Sequence, residues 1–329
     1  MTETNHSGIC TQSSASGSGK LILLGEHAVV YGYSAVALAL PKGLKVCIEA
    51  DEQQAYGLSF AQEGRFGTFS SQTRSQDSSE GTLLMKAFRQ GFDWAQAQGL
   101  HLNAHYKLKV EGALPFKVGL GSSAALSVAT LKALAQIHQH EWSKNELFEG
   151  AMVMERVFHH QPSGLDHRVS IEGGIQGFQR KQGEINLQAL HHTQPLHLVL
   201  TWGPRQGTTA DAVSRVAIKK AEYPIYYQEL FKQIESNTQV GQQALQDGDL
   251  NKLGLCFDLN HKFLRDLGVV TPALDQACIQ LRKLGALGAK MSGAGMGGTS
   301  FGLFQTQEQA LSASLSLQEQ NQPTWQVSI

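Results

Sequence analysis

Cysteine is scarce in this chain. The four present, Cys10, Cys47, Cys256 and Cys278, stand far apart, with no CxxC pair and no metal-finger spacing. A disulfide framework is therefore not expected, and a reducing compartment is. An excess of one charge sign is lacking too: 27 Lys plus Arg face 28 Asp plus Glu, a formal net charge of -1. That balance leaves no overall electrostatic footprint for nucleic acid or an anionic membrane, so neither is expected as a partner. Long apolar runs are missing. The most apolar stretch, 21–40, is interrupted by Gly25, Glu26, His27 and Gly32, which excludes a membrane span there. The first twenty residues lack the basic-then-apolar order of a secretory leader. No internal repeat and no long low-complexity tract occurs, and a soluble cytoplasmic protein is the expectation.

Glycine is what the chain has in plenty: 34 of 329 residues, about 10% against an average near 7%. With 41% hydrophobic and 17% charged residues the chain can bury a sizeable core, and its length suggests about two domains. Residues 8–19 read as a Ser/Gly-rich lead-in and 70–81 as a polar loop. Strands are expected at 21–24, 43–50, 105–110, within 170–202, at 299–304 and at 324–329. Helical spacing covers 82–98 and 123–139, and the S-x-x-E pair Ser143 and Glu146 starts another helix that runs to about Phe158. Further helix is expected through 209–250 and 272–287. Helices and strands come in blocks, which predicts an α+β fold with a domain change near 185–205.

Many of the glycines fall in three clusters. The middle one, Pro115-Phe-Lys-Val-Gly119-Leu-Gly121-Ser122-Ser123-Ala124, runs straight into a helix. Glycines let several N–H groups point one way and the helix N-terminus adds partial positive charge, a cradle for a di- or triphosphate. The bland alternative is a tight strand–helix turn with a Ser cap. The first cluster, Gly17-Ser-Gly19-Lys20, fails the Walker A rule at Ser14 and Leu21, so this is not a P-loop NTPase. A hydrophobic strand then empties onto Gly25-Glu26-His27, placing two polar groups at a strand end, where sites often sit and where a solvated loop is the plain alternative. The last cluster, Lys290-Met-Ser292-Gly293-Ala-Gly295-Met-Gly297-Gly298, precedes a strand and can approach a ligand closely. The histidine pairs His159-His160 and His191-His192 lack helical metal-site spacing and read as surface or loop residues.

The three clusters in order, across 17–304, resemble the GHMP small-molecule kinase family, most of all its mevalonate kinase branch. P-x-x-x-G-L-G-S-S-A stands at 115–124 and S-G-A-G-x-G-G at 292–298. Gly25-Glu26-His27-Ala28-Val29-Val30-Tyr31-Gly32 and Gln161-Pro162-Ser163-Gly164-Leu165-Asp166 are in the style of that branch. The resemblance implies a two-lobed α+β fold, with a ribosomal-protein-type N-terminal lobe over 1–195 and a ferredoxin-like C-terminal lobe over 196–329, the last strand free to return to the first lobe. It implies ATP and Mg²⁺ as cofactors. Pro115, Lys117, Gly119, Leu120, Gly121, Ser122, Ser123 and Ala124, with Ser292, Gly293 and Gly295, would hold the nucleotide. Ser123 and Glu155 would be the metal ligands, Asp166 the catalytic aspartate and Lys20 the lysine paired with it. Glu26, His27, Thr209 and Arg168 would face the acceptor, with mevalonate the small-molecule substrate; a homodimer is compatible with the resemblance. His167 and Arg168 depart from the family, which often has Asn and a small residue there.

These residue types suit phosphoryl transfer, which asks for positioned phosphates, neutralised charge and an oriented hydroxyl. Glu155 lies on the inward face of its predicted helix, where a buried carboxylate needs a partner such as Mg²⁺. Asp166 would orient or deprotonate the alcohol and Lys20 would stabilise moving charge; a helix N-cap is the structural alternative for Asp166. Other acceptors (phosphomevalonate, homoserine or a sugar) remain competing expectations. So does a non-catalytic ligand sensor, against which the presence of Lys20, Ser123, Glu155 and Asp166 counts.

Overall fold

The computed structural model describes residues 12–54, 57–63, 69–70, 79–112, 114–158, 163–181 and 184–329. In chain order the elements are β1 (Gln12–Leu24), a 3₁₀ turn (Ala28–Tyr31), β2 (Ala35–Asp51), β3 (Gly57–Glu63), β4 (Phe69–Ser70), α1 (Ser79–Ala97), β5 (His105–Gly112), α2 (Ser122–Ile137), α3 (Lys144–Glu155) and α4 (Leu165–Glu172). There follow β6 (Ile175–Lys181), β7 (Glu184–Leu190), β8 (His197–Gly203), α5 (Thr209–Glu222), α6 (Pro224–Asp247), α7 (Leu250–Asp266), α8 (Pro272–Lys283), β9 (Gly288–Met291), β10 (Gly298–Phe304), α9 (Gln307–Glu319) and β11 (Thr324–Ser328). Cys10, His159, His160, Gln161 and Pro162, and most of the expected 70–81 loop, lie outside the described residues.

The chain forms two compact units, each assembled from three stretches. The first contains residues up to Gly19, Lys42–Phe116 and Gly121–Gly173; the second contains Lys20–Pro41, Lys117–Leu120 and Gly174–Ile329.

In the first unit the second half of β2 pairs antiparallel with β5, Leu44 opposite Gly112 and Asp51 opposite His105. β5 in turn pairs parallel with β3. A parallel pair needs a crossover, and α1 lies in the chain between those two strands. The ring of Phe92 on α1 meets Tyr106 of β5 edge-on at 5.2 Å, and Trp94 lies 4.9 Å from Trp142. The continuous apolar character of α2 is explained by burial on nearly every face: twelve of its sixteen residues are buried. Leu126, Leu131 and Leu134 are fully buried, each worth roughly 2 kcal/mol relative to exposure. From Gln12 onward the Ser/Gly lead-in is part of strand β1, which starts well before the expected strand at 21–24. Ser13, Ala15 and Gly17 alternate inward along β1, and a Cβ at Gly17 would stand 2.0 Å from the Ala125 carbonyl oxygen of α2. That glycine is there for close packing.

In the second unit the first half of β2 pairs antiparallel with β6, and β6 with β7. A separate four-stranded antiparallel sheet runs β11-β8-β10-β9. Numbered within this segment the order is 4-1-3-2, with helices after the first and third strands, which is the ferredoxin-like arrangement expected for the C-terminal lobe. β11 closes this sheet by pairing with β8, so the last strand does not leave it. The expected helix over 209–250 is two helices, broken at Tyr223 where Pro224 opens α6. Phe231 and Ile234 of α6, Phe263 and Leu264 of α7, Leu267, and Met291 of β9 form one core cluster, with Tyr31 stacked on Phe231 at 4.6 Å.

Candidate active site

In the first unit the site begins at the N-terminus of α2. Its N-cap is Gly121 (φ 70°), no side chain caps it, and its first turn carries no acidic residue. By contrast α3, α5, α8 and α9 are capped by Ser143, Thr208, Thr271 and Thr306. The leading N–H groups of α2, including those of Ser122, Ser123 and Ala124, are thus suited to an anion.

Ser123 Oγ donates to Glu155 Oε1 at 2.9 Å. Glu155, the last residue of α3, is 3% exposed, so the inward orientation read from the helical period is observed. The buried His167 brings Nε2 to 3.3 Å from Glu155 Oε2. A hydroxyl and a carboxylate side by side are hard oxygen donors, and Mg²⁺ takes few protein ligands when nucleotide oxygens complete its shell. The pair therefore fits the expected ion. Among the described residues no group of three or more His, Cys, Asp or Glu side chains is placed to hold a metal by itself.

Asp166 is the second residue of α4 and half-buried, with Gly164 rather than Asp166 as the N-cap. Arg168 donates to Asn145 Oδ1 at 3.0 Å and its guanidinium lies 3.9 Å over the Phe148 ring, both on α3. Its contacts tie α4 to α3.

The second unit gathers the other candidates. Lys20 is buried; its N–H donates to Leu120 O at 2.8 Å and Nζ to Gly119 O at 3.3 Å. Residues Lys117 (φ 62°) and Gly119 (φ 89°) bend this segment. Thr299 Oγ1 donates to Val118 O at 2.9 Å, and a Cβ added to Gly119 would stand 3.7 Å from Ser292 O and one added to Gly293 3.6 Å from Gly119 O. Lys20, the first part of the middle glycine cluster and the last glycine cluster therefore come together. Pro115, Ser122, Ser123, Ala124, Glu155 and Asp166 belong to the first unit.

At the end of β1, Gly25 (φ 91°) has no room for a side chain, since a Cβ would stand 2.3 Å from Ser34 O. Glu26 is only 1% exposed; its carboxylate accepts from Lys290 Nζ and, at 3.0 Å, from Asn260 Nδ2. His27 is buried at a positive φ of 61° and its Nε2 lies 2.9 Å from Ala294 O. A carbonyl can only accept, so Nε2 carries a proton. Burial pushes the imidazole pKa below its ordinary value, so near neutral pH the ring is uncharged and Nδ1 is an acceptor.

Thr209 opens α5, and its Oγ1 lies 3.4 Å from Nη2 of Arg205, which also reaches Gly295 O at 3.4 Å. Nε of Arg205 is buried with no hydrogen-bond partner among the described residues, and burial lowers the guanidinium pKa. Nothing in the sequence marks Arg205, because one arginine in a polar loop has no diagnostic spacing. His191 and His192 lie in the loop before β8, as expected. Burial pushes the Cys278 thiol up to about 12, which removes it as a nucleophile.

Two family models match, GHMP kinases N terminal domain over 83–174 and GHMP kinases C terminal over 242–322, together over half of the chain. The sequence is 28% identical over 297 residues to a mevalonate kinase of Aeropyrum pernix, covering 89% of each chain. It is 29% identical over 292 residues to a mevalonate kinase of Archaeoglobus fulgidus, covering 88% of this chain and 92% of that one. The crystal structure of L. major mevalonate kinase in complex with R-mevalonate superimposes with a TM-score of 0.88 at 25% identity, covering 100% of this chain and 98% of that one. The chain belongs to the GHMP kinase family and is a phosphotransferase that acts on an alcohol, with ATP as the phosphate donor.

Proposed function

We propose that this protein phosphorylates the 5-hydroxyl of mevalonate, giving 5-phosphomevalonate and ADP, in isoprenoid precursor synthesis. The observation that carries the reading is the match over nearly the whole chain to proteins named mevalonate kinase. Residue chemistry supports it. Mevalonate is a small carboxylate bearing a primary and a tertiary alcohol. Arg205, a half-buried guanidinium with donor capacity to spare, suits the carboxylate, and Thr209 stands beside it. Neutral His27 offers a lone pair to a hydroxyl. Glu26 is held by Lys290 and Asn260, and Arg168 by Asn145 and Phe148, so we assign acceptor contact to His27, Thr209 and Arg205. A phosphorylated acceptor would bring about two more negative charges and would need additional cations.

The N-terminal turn of α2 and the two glycine loops would supply the N–H groups for the ATP phosphates. Ser123 and Glu155 would hold Mg²⁺, which when bound would neutralise charge on the phosphates. Asp166 orients the acceptor hydroxyl and takes its proton, and Lys20 stabilises the charge that moves from nucleophile to phosphoryl group. The protein works in the cytoplasm.

The reading is tested by incubating the protein with ATP, Mg²⁺ and R-mevalonate and following the products by phosphorus NMR. A new phosphomonoester coupled to a methylene, formed in step with ADP, is expected. ADP formed only in the presence of a different alcohol would reject mevalonate as the substrate. No acceptor-dependent ADP with any of them would reject turnover itself.

A further inference from the structure

Glu26 and Lys290 are the two ends of an ion pair in which both partners are essentially inaccessible, 1% and 0% exposed. Both members of the pair make further hydrogen bonds. Lys290 Nζ also donates to Ile22 O at 3.4 Å and sits 5.3 Å from the Phe301 ring centroid. Asn260 donates to Glu26 Oε2 and accepts from the Gly25 N–H at 3.3 Å. Burying two charges carries a desolvation cost that an apolar pair of similar volume would avoid, so stability alone does not explain the arrangement.

Its place in the chain does. Glu26 immediately precedes His27, and Lys290 lies two residues before Ser292. Two further cross-links join the same segments, one before and one after Glu26. Ser292 Oγ donates to Ile22 O at 3.1 Å and accepts from the Ile22 N–H at 2.9 Å, and His27 Nε2 donates to Ala294 O. Three ties therefore fasten the end of β1 and the two polar residues after it to Lys290 and the glycine loop that follows it, the charged one next to the tie of His27. His27 itself holds a positive φ that residues with a side chain avoid, a conformation that persists only when its surroundings over-determine it.

We propose that the Glu26–Lys290 pair is a positioning device for acceptor recognition: it fixes His27 against Ala294 of the glycine loop and does not itself touch the acceptor. The inference rests on the reading of His27 as an acceptor-side residue.

Removing one partner strands a buried charge, so the informative variant removes both: Glu26→Gln with Lys290→Met. It is expected to melt within a few degrees of the parent and to keep its KM for ATP within about twofold. Its KM for the acceptor should rise by about tenfold or more, with a smaller change in kcat. His27→Ala should then cost much less in the paired variant than in the parent, because coupled residues are not additive. Glu26→Asp, which keeps the charge and shortens its reach by one methylene, is a second variant, expected to raise the acceptor KM and leave the ATP KM unchanged. Histidine ring ¹⁵N signals give a readout without turnover: the His27 signal, identified by its loss in His27→Ala, should shift in both variants.

An unchanged acceptor KM and His27 signal in folded variants would overturn the proposal, as would a full His27→Ala penalty in the paired variant. A stable Glu26→Gln single variant as impaired as the paired one would make Glu26 a direct ligand and also overturn it. The parent is assayed first against a panel of alcohols. A preference there for an acceptor other than mevalonate rejects the substrate assignment alone, and the variants are then read on the preferred acceptor.

Discussion

Acid should weaken this protein through His261, on α7. The imidazole is 1% exposed. Nε2 lies 3.1 Å from Asp275 Oδ1 and donates to it, and Nδ1 accepts from the Met291 N–H at 3.3 Å. A second proton would have to go on Nδ1, where a donor already points. Burial, with Lys290 and Arg282 adding like charge, outweighs the help from Asp275 and pushes the pKa from 6.5 down to about 4. As pH falls below 6.5 the unfolded chain takes up a proton that the folded one refuses until about pH 4. The stabilisation is therefore complete above the unfolded pKa and is lost between 6.5 and 4. Between pH 7 and pH 5 this one group should cost about 2 kcal/mol, from 1.36 kcal/mol per pH step once the unfolded site is protonated. His261→Gln supplies an amide donor and a carbonyl acceptor that do not titrate. Urea unfolding of parent and variant at pH 7 and pH 5 measures the difference, which removes the contribution of His27 and other titrating groups. The parent should lose about 2 kcal/mol more than His261→Gln. Equal losses would refute the claim that His261 is held neutral by its surroundings.

The other expectations concern the site and its scaffold. Asp166→Ala should keep nucleotide affinity within a few-fold while turnover falls by roughly 10²–10⁴, measured by fluorescence titration and ADP release; near-normal turnover would remove Asp166 from the chemistry. Glu155→Gln should raise the Mg²⁺ concentration needed for half-maximal nucleotide binding by about tenfold or more and leave the melting temperature of the ligand-free protein nearly unchanged. A large loss of that stability with an unchanged Mg²⁺ titration would make Glu155 structural. Gly17→Val would place a Cβ 2.0 Å from the Ala125 carbonyl oxygen; it should lower the melting temperature by several degrees, a cost of about 1–3 kcal/mol, and an unchanged value would mean α2 does not pack on β1 there.

Local signals in the sequence were readable where local physics decides the structure. The Ser143–Glu146 capping box forms and starts α3 as expected. The apolar run after Ser123 becomes the buried α2, and the period of α3 turns Glu155 inward. Glycine density marked the loops that approach one another in the second unit. Reading failed where small or distant residues decide. The alternation of Ser13, Ala15 and Gly17 along β1 was hidden by its loop-like composition. Helix α7 went unread between two expected helices, although its N-cap Asp249 accepts from the Lys252 N–H as a start signal. Glu26 looked like a polar group at an open strand end because its partner, Lys290, is 264 positions away in sequence. Arg205 likewise belongs to no motif; what singles it out is its contacts with Thr209 and Gly295.

The central claim, that the acceptor is mevalonate, is met most directly by steady-state ADP release with the purified protein, ATP and Mg²⁺, each acceptor varied in turn. The account predicts that kcat/KM for mevalonate exceeds that for phosphomevalonate, homoserine and galactose by at least about 10²-fold, within the discrimination a polar pocket achieves. Equal or better use of any of those three would contradict it.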